Sequence, residues 1–346
     1  MMAETAAPLP AQGRLARWRH ALSTINPPAG ELDSVSRWLV ITRAGVLPMT
    51  LTAGAIAGLL TVRRPDFAGG WFALAFLGIV LAHVSNNLVN DLFDTDTGLD
   101  TEKYPRALYA PHPILSGMIS RRGLLRAAVM VNLADVAILI ALVIARGWVV
   151  LAFGLAGVIL NVAYTAPPLR LKKCGLGELD VLLVWGPLMI AGTVYSAIAV
   201  VPWQVWPASI PYGLLCTAVL MGKHIDKIPW DEAAGVRTLP VILGEPAARA
   251  VTIALMIGFY VAVAACVIAG ALPWPSLAAF GALPLLRRAL KALRRPRPER
   301  PPRGFPIWPL WFAAFAFTHT RRAGALLVAG LAVAAIFGLG PHWLGD

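Results

Sequence analysis

Long runs of apolar residues divide the chain into nine candidate membrane spans. They lie at about 45–62, 69–90, 124–145, 147–165, 178–200, 205–225, 248–271, 275–292 and 323–340. Each run is close to the roughly 20 residues that an α-helix needs to cross a bilayer. Proline interrupts several runs, as at Gly186-Pro187, and a helical bundle tolerates this where neighbouring helices satisfy the freed backbone groups. The pattern predicts an all-α integral membrane bundle of about nine transmembrane helices.

The composition supports a membrane protein. Apolar residues make up 58% of the 346 residues and charged residues only 14%, with a mean hydropathy of +0.69. Soluble domains average about 45–50% apolar and about 25% charged residues, so a water-soluble globule is excluded. The three cysteines are too scattered for a disulfide framework or a cysteine metal site.

The net charge of +12 has two explanations, nucleic-acid binding or positively charged loops on one side of a membrane. Except for Arg63, Arg64 and Arg146, all lysines and arginines fall on the side of the N-terminus. The positive-inside rule places that side in the cytoplasm, so we expect no nucleic-acid partner. The sequence does not indicate an oligomeric state. We expect three segments: a cytosolic lead-in at 1–40, a transmembrane domain at 41–344 and, within it, a basic proline-rich cytoplasmic loop at 287–303.

An acidic cluster follows the second apolar run. Its aspartates are Asp91, Asp94, Asp96 and Asp100. Asn90 and Asp94 are four residues apart and share a helix face. Carboxylate and amide oxygens suit Mg²⁺, which proteins usually hold with a few carboxylates and substrate phosphates. A helix cap followed by a turn at Gly98 is the alternative, but it accounts for only one or two of the aspartates.

A second cluster ends the sixth apolar run. It contains Asp226 and Asp231, with Pro229 between them. Lys223, Lys227 and Asp231 form an i, i+4, i+8 stripe, which as an exposed ion-pair ladder contributes only a few tenths of a kcal/mol. Because both clusters lie at the same predicted membrane face, we favour a functional role over an exposed ion-pair ladder.

Two acidic clusters separated by cations suit a diphosphate bridged by Mg²⁺. An apolar chamber among the spans would hold a hydrocarbon tail and keep water from a carbocation. These features predict an enzyme that acts on a lipid diphosphate. A transporter is less favoured, because transport sites usually lie near the bilayer midplane. A phosphotransferase that moves a phospho-alcohol onto a lipid is also less favoured, because its DGxxAR signature is absent from the sequence.

From about Arg43 to Gly330 the chain resembles the UbiA superfamily of intramembrane aromatic prenyltransferases. The family's first motif resembles Asn90, Asp94 and Asp100, and the gap that contains Gly98 is similar to the 1,4-dihydroxy-2-naphthoate polyprenyltransferase branch, which makes menaquinone. Further similar segments follow in family order: Tyr164-Thr-Ala-Pro-Pro168, Gly175-Leu-Gly-Glu178, Gly186-Pro187, Thr238-Leu-Pro-Val-Ile-Leu-Gly244 and His319-Thr-Arg-Arg-Ala-Gly324.

The resemblance implies Mg²⁺-dependent transfer of a polyprenyl group from its diphosphate to an aromatic acceptor, with 1,4-dihydroxy-2-naphthoate as the first choice. Homogentisate, 4-hydroxybenzoate, haem, chlorophyllide and a sugar phosphate stay open. The expected location of the protein is a bacterial inner membrane, with the active site facing the cytoplasm. The predicted catalytic residues are Asp94, Asp100, Asp226 and Asp231. Predicted metal ligands are Asn90, Asp91, Asp94, Asp100, Asp226 and Asp231. The predicted substrate contacts are Arg43, Asn87, Tyr164, Lys172, Lys173, Lys223, Lys227 and Arg237.

The sequence departs from the family pattern at two positions. Counting back from Gly235, the second motif calls for an aspartate at position 227, where this chain has Lys227. Because Lys227 is cationic, we expect it to contact phosphate directly. The second departure is His112, which stands where many relatives carry arginine.

Asp135 lies inside the third span. It is either functional or part of a hydrogen bond between helices.

Overall fold

The structure is a computed structural model that describes residues 13–23, 32–96, 98, 105, 110–305, 307–340 and 343. The described residues form helices and contain no strand, which confirms the all-α prediction. The α-helices are α1 Arg14–Ser23, α2 Ser34–Ile41, α3 Pro48–Leu59, α4 Gly69–Asp96, α5 Arg121–Arg146, α6 Trp148–Thr165, α7 Gly177–Leu183, α8 Met189–Ile198, α9 Val205–Ala233, α10 Leu239–Leu243, α11 Glu245–Ile268, α12 Leu283–Leu293 and α13 Trp311–Phe337.

Seven helical segments of the described chain are long and apolar enough to cross a membrane. The bent pair formed by Ser34–Ile41 and Ala44–Leu59 makes an eighth if it is one span, with a bend of 60°. The predicted span at 275–292 is a 3-10 helix, Trp274–Ala282, followed by α12. The protein is therefore an integral membrane protein, and the predicted count of nine is approximate.

The last helix begins earlier than predicted. The predicted span begins at residue 323, but α13 starts at Trp311. Arg321 and Arg322 interrupt the apolar run without ending the helix. Phe312 and His319 in its first half are buried, so this part of α13 is held by packing inside the protein.

The core centres on α9, which packs against α11, α13 and the α7–α8 span. That span widens into a π-turn at Val184–Leu188, where Pro187 has no backbone N–H to donate. A Cβ at Gly213 would lie 2.8 Å from the Leu182 carbonyl oxygen and 3.2 Å from Gly186 Cα. Glycine therefore lets α9 approach the π-turn closely, and this contact fixes one wall of the site.

Large apolar side chains cover the outer surface of the bundle. Examples on α5 and α11 are Met130, Ile144, Val261 and Ile268, all well exposed. An exposed apolar surface of this extent is unfavourable in water but suits contact with lipid tails. Inside, a chamber is lined by residues of α3 to α9 and α13.

Candidate active site

The chamber has a volume of about 1120 Å³. Most of its wall is apolar, with Met49, Ile79, Phe153 and Leu188 among the lining residues. One end is polar, and we call it the polar end. Its lining side chains are Arg43, Asn87, Asn90, Asp94, Tyr164, Lys172, Lys223 and Lys227. The chamber thus joins a charged end to a space that suits a hydrocarbon.

Asp94 and Lys172 form the central contact of the polar end. Lys172 Nζ donates to Asp94 Oδ2 over 2.7 Å, and both side chains are only 9% exposed. Asp94 lies in the last turn of α4, which continues past the predicted end of the apolar run at residue 90. Asn90, one turn earlier, accepts a hydrogen bond from the Thr165 hydroxyl. The predicted shared face of Asn90 and Asp94 is therefore present.

The other aspartates of the first cluster have different surroundings. Asp91 is fully buried, pairs with Arg43 and lies 3.6 Å from His112 Nε2. His112 Nδ1 accepts the Ile114 N–H over 3.3 Å, and its Nε2 faces Asp91. Asp91 does not line the chamber. Asp96 pairs with Arg121 on the surface. Asp100 lies outside the described residues.

The charged residues of the second cluster contact groups other than the aspartates of the first cluster. Asp226 accepts the backbone N–H groups of Phe312 and Ala313 over 3.0 and 2.9 Å, so it holds the start of α13. Lys227 Nζ lies 3.3 Å from Asp231 Oδ1, and both side chains are buried. Of Asp226, Lys227 and Asp231, only Lys227 lines the chamber. The structure thus presents a cation where the family pattern calls for a metal ligand.

The remaining predicted contacts divide into two groups. Arg43, Asn87, Tyr164, Lys172 and Lys223 line the chamber. Lys173 and Arg237 do not line it; their backbones are joined by a hydrogen bond from Arg237 N to the Lys173 carbonyl. The Arg237 side chain is exposed.

Asp180, a buried carboxyl in α7 that lines the chamber, is not among the predicted site residues. The predicted span 178–200 contained it, and an ionisable group inside a span is a functional candidate. His83 was also missed. It lines the chamber and contacts the Thr50 hydroxyl over 2.8 Å through Nδ1, and Trp185 Nε1 donates to the same hydroxyl.

The oxygens of the first cluster fit a Mg²⁺ ion better than those of the second. No three histidine, cysteine, aspartate or glutamate side chains of the described chain form a group that could hold a metal. Mg²⁺, however, usually takes only one or two carboxylates and completes its shell with water and substrate phosphates. Asp94 supplies one carboxylate in the chamber wall, and Asn90 supplies an amide oxygen beside it. The second cluster does not, because Asp226 is occupied by backbone N–H groups and Lys227 is cationic.

The geometry agrees with what comparisons with known proteins show. Residues 49–319 match the model of the UbiA prenyltransferase family. The chain is 29% identical over 240 residues to the 2-carboxy-1,4-naphthoquinone phytyltransferase of Synechocystis sp., covering 69% of this chain and 75% of that protein. It is 28% identical over 265 residues to the 1,4-dihydroxy-2-naphthoate octaprenyltransferase of Haemophilus influenzae, covering 74% and 85%.

A solved structure shares the fold. The UbiA homologue from Archaeoglobus fulgidus bound to GPP and Mg²⁺ superposes with a TM-score of 0.51 and 16% identity, covering 84% of this chain and 99% of that one. The family match spans more than half of the chain and includes both clusters. The chain belongs to the UbiA prenyltransferase family, and it is a membrane-embedded prenyltransferase.

Proposed function

We propose that the protein transfers a polyprenyl group from a polyprenyl diphosphate to an aromatic acceptor, with 1,4-dihydroxy-2-naphthoate as the preferred acceptor. The main support is one continuous chamber that joins the Asp94–Lys172 end to a long apolar space. The names of the relatives from Synechocystis sp. and Haemophilus influenzae support a naphthoate-type acceptor. Homogentisate and 4-hydroxybenzoate remain the alternatives for an assay.

The diphosphate head group would bind at the polar end. Lys172, Lys223 and Lys227 line this end and offset the negative charge that grows on the diphosphate as the carbon–oxygen bond breaks. Because Lys172 and Lys227 are buried, their charges act through a medium less polar than water and are screened little by salt. Arg43 also lines this end, and its pairing with Asp91 fixes its position.

Asn90 and Asp94 would hold a Mg²⁺ ion, and Asp100, which lies outside the described residues, stays a predicted ligand. A Mg²⁺ ion bound there would supply Lewis-acid neutralisation of the leaving diphosphate. The solved homologue from Archaeoglobus fulgidus, bound to GPP and Mg²⁺, supports this proposal. At the second cluster we propose that Lys227 contributes the positive charge itself and that Asp231 positions it.

The apolar walls would protect the reacting carbon. Met49, Ile79, Phe153 and Leu188 offer no hydrogen bond to water, so the tail occupies the space and water is excluded. The acceptor ring then attacks the allylic carbon. Exclusion of water favours this attack over hydrolysis.

We place the polar end of the chamber at the cytoplasmic face of a bacterial inner membrane. The support is the distribution of cations in the sequence, since the predicted topology assigns the lysines and arginines other than Arg63, Arg64 and Arg146 to the side of the two clusters. Arg63 and Arg64 lie near the opposite end, where Arg63 donates to the Ala335 carbonyl near the end of α13.

The experiment is a product assay with the purified full-length protein in detergent and Mg²⁺. Prenyl diphosphates of several lengths are combined with 1,4-dihydroxy-2-naphthoate, homogentisate and 4-hydroxybenzoate, and products are identified by mass. We expect prenylated naphthoate as the main product. A product with another acceptor and none with the naphthoate would contradict the acceptor assignment, and no prenylated product at all would contradict the function.

A further inference from the structure

Asp180 is a carboxyl group in the chamber wall that the reaction described above does not use. Its side chain is buried, with 6% of the residue exposed, and it lines the chamber. Within the described part of the chain, its Oδ1 atom has no hydrogen-bond donor and no cation forms an ion pair with it. A buried carboxyl without compensation is unfavourable, so this group is suited to a ligand that brings a donor.

A second buried hydrogen-bond acceptor atom favours the same kind of ligand. Asn161 Oδ1, on α6, is also buried without a donor among the described residues, and Asn161 also lines the chamber. Tyr164 lies one turn further along α6. A Cβ placed at Gly177, three residues before Asp180 in α7, would lie 3.2 Å from the Tyr164 ring and 3.1 Å from Lys172 Cα. Asp180 is therefore near the polar end, where the bond to the diphosphate breaks.

The chemistry of the two substrates separates them at this position. An ionised diphosphate has only acceptor oxygens and is repelled by a carboxylate, and a prenyl tail has no polar atom. A hydroxyl-bearing aromatic ring brings O–H donors, which the oxygens of Asp180 and Asn161 can accept. The prenyl diphosphate is thus a poor match for this part of the wall, and the aromatic substrate is a good match.

We propose that Asp180 binds a hydroxyl group of the acceptor and takes its proton when the ring attacks. This inference rests on the proposed function. The acceptor O–H bond breaks and its proton moves to Asp180, while the electron pair moves into the ring. A ring carbon forms a bond to the allylic carbon, whose bond to oxygen breaks with the electron pair leaving on diphosphate. The ring carbon then loses a proton to the released diphosphate, or its carboxyl group as CO₂. The electron pair of the broken bond restores the aromatic ring, and Asp180 returns its proton to the ring oxygen.

Asp135 also lines the chamber, but it is too far from the polar end for this role. Asp135 Oδ1 would lie 3.3 Å from a Cβ placed at Gly78. Gly78 precedes Asp94 by 16 residues on α4, which corresponds to about 24 Å along the helix. Asp135 is therefore near the tail region and provides a matched control for a carboxyl-to-amide change.

The test compares Asp180→Asn with Asp135→Asn. General-base contributions are typically about 10²–10⁴-fold, so Asp180→Asn should lower turnover by about 10²-fold or more, and Asp135→Asn by less than about threefold. Acceptors with more acidic ring hydroxyls should lose less turnover in Asp180→Asn, because they depend less on a base. Donor binding and Tm should stay at the wild-type level. A turnover loss that is equal for all acceptors, near-normal turnover, or a fall in donor binding or Tm would each overturn the proposal.

A binding measurement separates this proposal from the proposed function. Wild-type protein should bind 1,4-dihydroxy-2-naphthoate about tenfold more tightly than 1,4-dimethoxy-2-naphthoate, which lacks the hydroxyl donors. Asp180→Asn should reduce that ratio and Asp135→Asn should preserve it. An unchanged ratio in Asp180→Asn would contradict the Asp180 assignment. Wild-type protein that forms no product, while the ratio behaves as expected, would instead contradict the proposed function.

Discussion

Asp94 and Lys172 form a buried ion pair with 2.7 Å between Oδ2 and Nζ, although they lie 78 positions apart in the chain. The pair joins the end of α4 to the connection between α6 and α7. Burial of both partners fixes the lysine ammonium at the polar end before any substrate is bound. The charge is therefore preorganised, so it requires little rearrangement when the leaving diphosphate becomes more negative.

The first prediction concerns Asp94. Asp94→Asn removes a charged oxygen from the proposed Mg²⁺ site and leaves Lys172 without its carboxylate partner. We expect turnover to fall by about 10²-fold or more, with a higher Mg²⁺ concentration needed for half-maximal rate. Steady-state assays over a Mg²⁺ titration measure both effects.

Asp96→Asn is the matched control for this experiment. Asp96 lies two residues further along, and its pair with Arg121 is on the surface. Such pairs contribute about 0–1 kcal/mol, so the control should keep near-normal turnover and Mg²⁺ requirement. If Asp94→Asn also behaves like the wild type, the assignment of the metal to the first cluster is wrong.

The second prediction concerns Lys227. If its ammonium offsets charge on the diphosphate, Lys227→Ala should lose turnover with a nearly unchanged Mg²⁺ requirement. Lys227→Asp, which restores the family pattern, should stay active or shift its Mg²⁺ dependence. Turnover of Lys227→Ala close to the wild-type value would show that Lys227 only pairs with Asp231.

The third prediction concerns Asp226. Because its carboxylate accepts the N–H groups of Phe312 and Ala313, Asp226→Ala should destabilise the protein by about 1–3 kcal/mol. Thermal unfolding in detergent should show a lower Tm, and Asp226→Asn, which keeps one acceptor oxygen, should lose less. The Mg²⁺ requirement of the folded fraction should not change. An unchanged Tm with a raised Mg²⁺ requirement would make Asp226 a metal ligand instead of a cap.

Residue types and spacing predicted both aspartate clusters, but they did not predict which groups each aspartate contacts. Asn90 and Asp94 share a face because helical periodicity requires it. By contrast, Asp226 turns toward α13, which is 86 residues away in sequence. Spacing along one helix carries no information about a partner so distant in the chain, so the capping role could not be predicted.

The fold was predictable where apolar runs were uninterrupted. Spans such as α5 and α11 follow directly from hydropathy. Hydropathy did not predict the start of α13, because Arg321 and Arg322 interrupt the apolar run of a helix whose first half is stabilised by tertiary packing. Asp180 could have been found as one of two acids, with Glu178, inside a predicted span. That its Oδ1 atom has no hydrogen-bond partner among the described residues is visible only in the structure.

The fourth prediction concerns topology. A reporter fused after Gly244 should report the cytoplasm, and a reporter inserted near Pro202 should report the opposite side. The two positions flank α9, whose 29 residues span about 43 Å, enough to cross the bilayer. Alkaline phosphatase and fluorescent-protein fusions give opposite signals on the two sides. Reversed signals would contradict the cytoplasmic placement of the polar end.

Coupling between diphosphate release and aromatic product tests the central claim most directly. In one reaction with purified wild-type protein, Mg²⁺, a prenyl diphosphate and 1,4-dihydroxy-2-naphthoate, both products are quantified together. The account predicts one diphosphate released for each prenylated naphthoate formed, with both falling together in Asp94→Asn. Release of diphosphate with prenyl alcohol and no prenylated ring would contradict it, because the chamber would then be a hydrolytic site.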